Sequence, residues 1–154
     1  METFIIIYSL DYKYRLRRWF NLDFSSIVLM ERDKESGMLV KEIGSYKVED
    51  GAEYITKAFC EEGIVHITFD TGKDVEDWEY SAIYDNFSEE NFENHGFDIS
   101  FDEDEYNPTW HVKFKLIEDY SEMESKISEL CKLIKSELEG AFKAIEGREE
   151  EYKD

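Results

Sequence analysis

The clearest period in the chain lies at its far end. Between Asp119 and Gly147 the apolar positions Met123, Ile127, Leu130, Ile134, Leu138, Ala141 and Ile145 recur at steps of three and four. That spacing places them on one stripe of an α-helix, with Glu, Lys and Ser on the opposite side. At 1.5 Å per residue the helix is about 40 Å long, enough to cross a small domain. Its stripe needs an equally long apolar surface to lie on, and the strands upstream can supply one.

Phe24 to Arg32 and Met38 to Ile43 are apolar runs joined by Asp33-Lys34-Glu35-Ser36-Gly37. This predicts a hairpin with its glycine at a positive φ, and Gly44 breaks the second run. Ala52 to Cys60 and Ile64 to Phe69 predict another hairpin across Glu61-Glu62-Gly63. Pairing Phe59 with Val65 and Ile55 with Phe69 gathers apolar residues on one face and leaves Thr56, Ala58, His66 and Thr68 on the other. The period changes at Asp74, which has the character of an N-cap with Asp77 as its capping-box partner. Val75, Trp78, Ala82, Ile83 and Phe87 follow at helical spacing, and Ser88 and Gly96 bracket a short second helix over Glu89 to Asn94. Phe97, Ile99 and Phe101 then alternate with polar residues, as do Trp110, Val112, Phe114 and Leu116. Folded back through Glu103 to Thr109, they form a third hairpin in which Asp98 and Asp102 oppose Lys115 and His111. Pro108 falls in the connection, where it costs no ladder hydrogen bond. The expected architecture is α+β: a two-layer sandwich in which an antiparallel sheet carries helices on one face and is solvated on the other.

Charge changes this picture at the two ends. The 154 residues include 38 acidic and 18 basic groups, a net charge of −20. Residues 1–22 hold Lys13, Arg15, Arg17 and Arg18 against Glu2 and Asp11, so this segment is basic while the rest carries −22. We therefore read residues 1–22 as a separate basic and apolar segment: an edge strand, an extension upstream of the domain, or a surface anchor. Its apolar run from Phe4 to Tyr8 is too short to span a bilayer, which takes about 20 residues, and its positive charge follows the run, the reverse of a secretory signal. Residues 23–147 form the single domain. Residues 148–154 are an acidic tail without an apolar period and are expected to fray. A chain this acidic repels DNA, RNA and anionic membranes and attracts basic protein surfaces or cations. Cys60 and Cys131 match no metal or redox spacing and have the character of buried hydrophobes, which fits a reducing cytoplasm.

Candidate chemistry is sparse. Asp70-Thr71-Gly72-Lys73-Asp74 resembles a calcium loop only superficially, because Gly72 and Val75 stand where an oxygen ligand and the turn glycine are needed. Asp102-Glu103-Asp104-Glu105 is the densest acidic run, and with Tyr106 it forms a hairpin turn that a basic protein partner would relieve of self-repulsion. His66 and His111 fall on the outward sheet face, and His95 precedes a helix-stop glycine. No pair has the spacing of a zinc site, and no nucleophile triad, phosphate loop or dinucleotide fingerprint can be traced. These observations imply no cofactor, no metal and no catalytic residue.

From Asp23 onward the chain resembles a family of uncharacterised bacterial proteins. Three stretches carry the likeness: Ser25-Ser26-Ile27-Val28-Leu29-Met30-Glu31, Asp77-Trp78-Glu79-Tyr80-Ser81-Ala82-Ile83, and Tyr106-Asn107-Pro108-Thr109-Trp110. The resemblance implies a domain that starts near Asp23 and brings no activity or site residues. The functional expectation is a cytoplasmic, non-catalytic module, monomeric or homodimeric. It binds a basic protein surface through carboxylates, as inhibitors, immunity proteins and nucleic-acid mimics do. The rival is a small-molecule binder or enzyme with a pocket between sheet and helix lined by Tyr80, Tyr84 and Trp110. Carboxylates gathered on one face favour the first, and an internal pocket with converging polar groups favours the second.

Overall fold

The computed structural model describes residues 4–5, 26–48 and 50–153. Most of the 1–22 segment therefore lies outside the described residues. Its described part is the two-residue strand β1 (Phe4–Ile5), which pairs parallel with β2 (Ser26–Arg32). β2 turns back antiparallel into β3 (Leu39–Lys47), and a short 3-10 turn (Ala52–Tyr54) leads into the hairpin of β4 (Ile55–Glu61) and β5 (Ile64–Asp70). Two helices follow, α1 (Asp77–Asn86) and α2 (Glu90–Glu93), then the hairpin of β6 (Asp98–Asp102) and β7 (Thr109–Lys115). The long α3 (Tyr120–Ile145) and the short α4 (Glu149–Tyr152) complete the chain.

One sheet runs β2-β4-β5-β7-β6, with β3 on the far edge of β2 and β1 beside the start of β2. The fold is the α+β sandwich that the pattern predicts, helices on one side included. Its sheet is mixed, because β2 and β4 are parallel neighbours that meet at Glu31 and Cys60. To place them so, the chain crosses back from β3 over β2 on the helix side. Gly51 makes that crossing. It has φ +109°, and a Cβ built there would lie 2.0 Å from the carbonyl oxygen of Cys131 in α3.

The helix stripe is buried as expected. Met123, Ile127, Leu130, Ile134, Leu138, Ala141 and Ile145 are all at most 2 % exposed, joined by Cys131, and they lie in one cluster with Ile27, Leu29, Val65, Ile67 and Val112 from the sheet. Asp119 caps the first turn by accepting the Glu122 N–H at 2.9 Å. Tyr120 donates its hydroxyl to the Ser45 carbonyl and stacks on Tyr46, tying the start of α3 to β3.

Several local expectations are corrected. The β4–β5 hairpin keeps Ile55 opposite Phe69, but a bulge at Thr56 shifts the register beyond it, so Phe59 faces His66 and Cys60 faces Val65. The extra residue turns Ala58 and Cys60 inward with Ile55 and sends Lys57 and Phe59 to the outer face. In β6–β7 the inward faces align as predicted, but the register differs by two: Asp98 faces Lys113, and Asp102 faces Thr109. A shift of two keeps every side chain on its face, so alternation alone does not distinguish the two pairings. Gly44 does not end the second run. It lies within β3 opposite Leu29 beside a register shift, and the Tyr46 ring folds over the space a Cβ would need. The cap of α1 is the reciprocal pair Glu76 and Glu79, not Asp74 and Asp77. Ser88 does not cap α2, whose N-cap is Glu89; the Ser88 N–H goes instead to Glu137 of α3 at 3.2 Å. The tail is ordered as α4, where Arg148 bonds Glu151 and reaches Asn86 of α1, and Tyr152 packs on the core.

Two predictions follow from this packing. Leu130→Ala or Ile134→Ala is expected to cost about 2–5 kcal/mol in chemical denaturation with no change of molar mass in light scattering; a cost near zero with loss of a dimer would place the stripe in an interface instead. Gly51→Ala is expected to cost more than about 2 kcal/mol, because strained φ and a steric clash act together. Gly37→Ala shares the positive φ (+71°) but meets nothing within 4 Å, so it should be the milder change in the same assay.

Candidate functional site

The turn between β6 and β7 is built outward from a firm base. Asn107 is buried; its Oδ1 accepts the Val75 N–H at 3.0 Å and its Nδ2 donates to Asp74 Oδ1 at 3.0 Å. Its carbonyl accepts the Thr109 hydroxyl at 2.8 Å. These contacts clip the turn to the segment that enters α1. On the other root, Asp102 Oδ1 accepts the Asp104 N–H at 3.0 Å, and Asp102 Oδ2 lies 2.7 Å from His111 Nε2. The bond to His111 is the main cause that holds the Asp102 carboxyl below the ordinary carboxylate range, and the Asp104 N–H adds to it. Glu103, Asp104, Glu105 and Tyr106 project into solvent, Tyr106 with 78 % of its surface exposed.

The turn does not stand alone. Tyr80 and Tyr84 of α1 pack against Phe101 at the end of β6, with ring centroids 5.9 and 4.6 Å away. Burial, and after it the charges of Asp102, Glu103, Asp104 and Glu105, push the Tyr80 hydroxyl pKa up, so all four carboxylates of the turn act on α1. From Asp74 to Gly96 the chain carries eight carboxylates and no Lys or Arg. Helix α1 and the turn therefore share one acidic ridge, with Tyr80, Tyr84 and Tyr106 among its carboxylates. The candidate residues Asp102 to Tyr106 thus belong to a wider surface than the run itself. The missing signal was readable as that 23-residue interval without a cation.

The aromatic pocket expected between sheet and helix is filled by its own rings. Trp110 is fully buried, with Phe87 at 4.0 Å, Phe69 at 5.4 Å and Phe101 at 5.4 Å. Its indole N–H has no well-aligned hydrogen-bond acceptor among the described residues. The Glu89 carboxyl lies near enough for the indole to favour its charged form, but burial and the neighbouring Glu93 outweigh that and raise the Glu89 pKa. On the outer sheet face Thr68 Oγ1 lies 2.9 Å from His111 Nδ1, so Thr68, His111 and Asp102 form a chain that resembles a nucleophile triad. Thr68 lies in β5, which is paired on both sides, by β4 and by β7. Cys60 and Cys131 are both buried, as predicted. Among the described residues no three His, Cys, Asp or Glu side chains converge on a metal position, and no helix is long and apolar enough to cross a membrane.

The model of a family of unknown function, DUF6762, matches residues 22–153, and the chain belongs to that family. No curated protein and no solved structure matches it.

Glu89 gives a pH test of the packing under the ridge. A raised carboxyl pKa makes the protonated form the one the fold prefers, so its contribution is present at low pH and lost as pH rises through the folded value. Glu89→Gln keeps the uncharged shape at all pH values. We expect it to raise the melting temperature at pH 7 and to match the parent chain near pH 4; an equal effect at both values would show that Glu89 pays no burial penalty.

Proposed function

We propose that this chain is a non-catalytic protein-binding module of the bacterial cytoplasm, and that its acidic ridge docks a basic surface of another protein. The observation that carries the proposal is the union of the Asp102–Glu105 turn with the cation-free 74–96 interval around Tyr80, Tyr84 and Tyr106. Carboxylates on a rigid frame give electrostatic complementarity and fast encounter with a basic partner. Tyrosines between them supply contact area at low entropic cost, with a hydroxyl for hydrogen bonding. Such a surface takes the place of a phosphate backbone, which is how inhibitors and nucleic-acid mimics act. Clipping by Asn107 and His111 restricts the turn before any partner arrives, which lowers the ordering cost of binding. The two buried cysteines match no disulfide framework in their spacing and suit a reducing compartment.

The test neutralises only exposed groups, so the fold is retained. Glu103→Gln, Asp104→Asn and Glu105→Gln together should abolish capture of basic proteins from native lysate by the immobilised chain. Parent capture should fall steeply between 50 and 500 mM salt, as expected for exposed charges with a Debye length of roughly 10 Å at 0.1 M. Capture that is equal for the neutralised and parent chains, or insensitive to salt, would refute the assignment.

A further inference from the structure

The outer face of the sheet carries a local group of cations. The bulge at Thr56 puts Lys57 and Phe59 on this face, and the register lines up two rows across three or four strands. One row runs Phe59, His66, Lys113 and Asp98; the other runs Lys57, Thr68, His111 and Ser100. Arg32 reaches over from β2, its guanidinium 4.3 Å from the Phe59 ring centre and its Nε 2.8 Å from Glu61. Lys57 Nζ lies 5.2 Å from the same ring. His66 stacks on Phe59 at 4.7 Å with the planes 6° apart. Together these groups line an open cavity of about 400 Å³. Arg32, Lys57 and Lys113 border it, with Glu105 the one carboxylate at its rim. In the whole chain acidic residues outnumber basic ones by about two to one; in the lining itself three cations stand with Glu105, while Glu61 bonds Arg32, Asp98 faces Lys113 and Asp102 bonds His111 just outside it. Among the described residues Lys57 and Lys113 have no ion-pair partner, and both are exposed.

We infer that this cavity binds a small phosphorylated anion, with Lys57 and Lys113 as its principal contacts, Arg32 as a third cation, and His66 and Phe59 as its floor. Two ammonium groups and a guanidinium around one hollow suit the several oxygens and double charge of a phosphate group. The volume falls within the range of small-molecule sites, about 300–1,000 Å³, and accepts a pyrophosphate or a nucleotide. Size is decided by the rest of the molecule. A short anion stays within the cationic rows, whereas a nucleic-acid strand runs on past them into the field of a chain with net charge −20. His66 is suited to the floor: burial, then Lys113, with Arg32 and His111 adding and Glu61 opposing, push its pKa down. It therefore meets the ligand at neutral pH as an uncharged ring, able to donate or accept a hydrogen bond.

The experiment titrates the full chain with inorganic phosphate, pyrophosphate, adenosine monophosphate, adenosine triphosphate and a short single-stranded oligonucleotide, all at matched ionic strength. Binding is followed by calorimetry and by the NMR shifts of the His66 ring. At least one phosphate compound should bind, shift the His66 signals and raise the His66 pKa. Lys57→Gln with Lys113→Gln should weaken that binding at least tenfold while circular dichroism stays unchanged. Pyrophosphate alone binding as well as the nucleotides would assign the site to the phosphate group, and tighter nucleotide binding would assign it to the nucleotide. No binding by any phosphate compound at millimolar concentration, binding that survives the double substitution, or an oligonucleotide that binds more tightly than the small anions would overturn the inference.

Discussion

Eight side chains of α3, from Met123 to Ile145, are at most 2 % exposed, and a 26-residue helix keeps them dry only if an apolar surface runs beside it for about 39 Å. That requirement shapes the sheet. Its inner face has to present Ile27 and Leu29, Ala58 and Cys60, Val65, Ile67 and Phe69, then Trp110, Val112 and Phe114 to the helical layer. The Thr56 bulge belongs to the same constraint: without the extra residue, β4 would turn Phe59 inward and send Cys60 out. Gly51 belongs to it as well, because the crossing from β3 to β4 has to pass between the sheet and the Cys131 carbonyl of α3. A core this closely filled resists changes of even a methylene.

Charge follows from what the core leaves over. More than a third of the residues are charged, and none of the carboxylates can join the stripe without a partner. Helices α1 and α2 therefore show their carboxylates to solvent, and the turn beside them adds four more. On the sheet side the outward strand positions carry long cationic side chains, and the charged heads of Arg32 and Lys57 lie over the Phe59 ring. The outcome is a molecule with an acidic side and a cationic hollow, although its summed charge suggests only the first.

Sequence patterns carry the elements of this fold much further than its registers. The α3 stripe, the three hairpins and the inward alternation of β6 and β7 were all legible, because each depends on local spacing and strong hydrophobic contrast. Less was legible where the choice depends on a partner strand. The two-residue difference in β6–β7 leaves each face unchanged, so charge pairing was the only local guide; the favourable contact of Asp102 with His111 forms diagonally in the actual register. At Thr56 and Ile43 the chain inserts a residue into the ladder, and period-two reading has no sign of it. Asp74 lost the cap to Glu76 because Asn107, 33 residues away, takes the Asp74 carboxylate. For the acidic turn, composition located the run, while only the fold showed that Tyr80 and the 74–96 interval complete it.

The two surfaces meet at one contact. Asp102 is the root of the acidic turn, and His111, its partner at 2.7 Å, stands in a row of the cationic face beside Thr68. Fields of opposite sign thus lie within a few ångströms of each other, and distance decides which one a ligand feels. At 0.1 M salt, charges beyond roughly 10 Å are largely screened, so an approaching protein responds to the broad, many-carboxylate ridge over an area its own size. A small anion already inside the hollow is governed by Lys57, Lys113 and Arg32 at contact range, where screening is weak. Occupation of one surface need not exclude the other. The Asp102–His111 contact nonetheless gives them a shared group, since His111 both lines the hollow and holds the root of the turn.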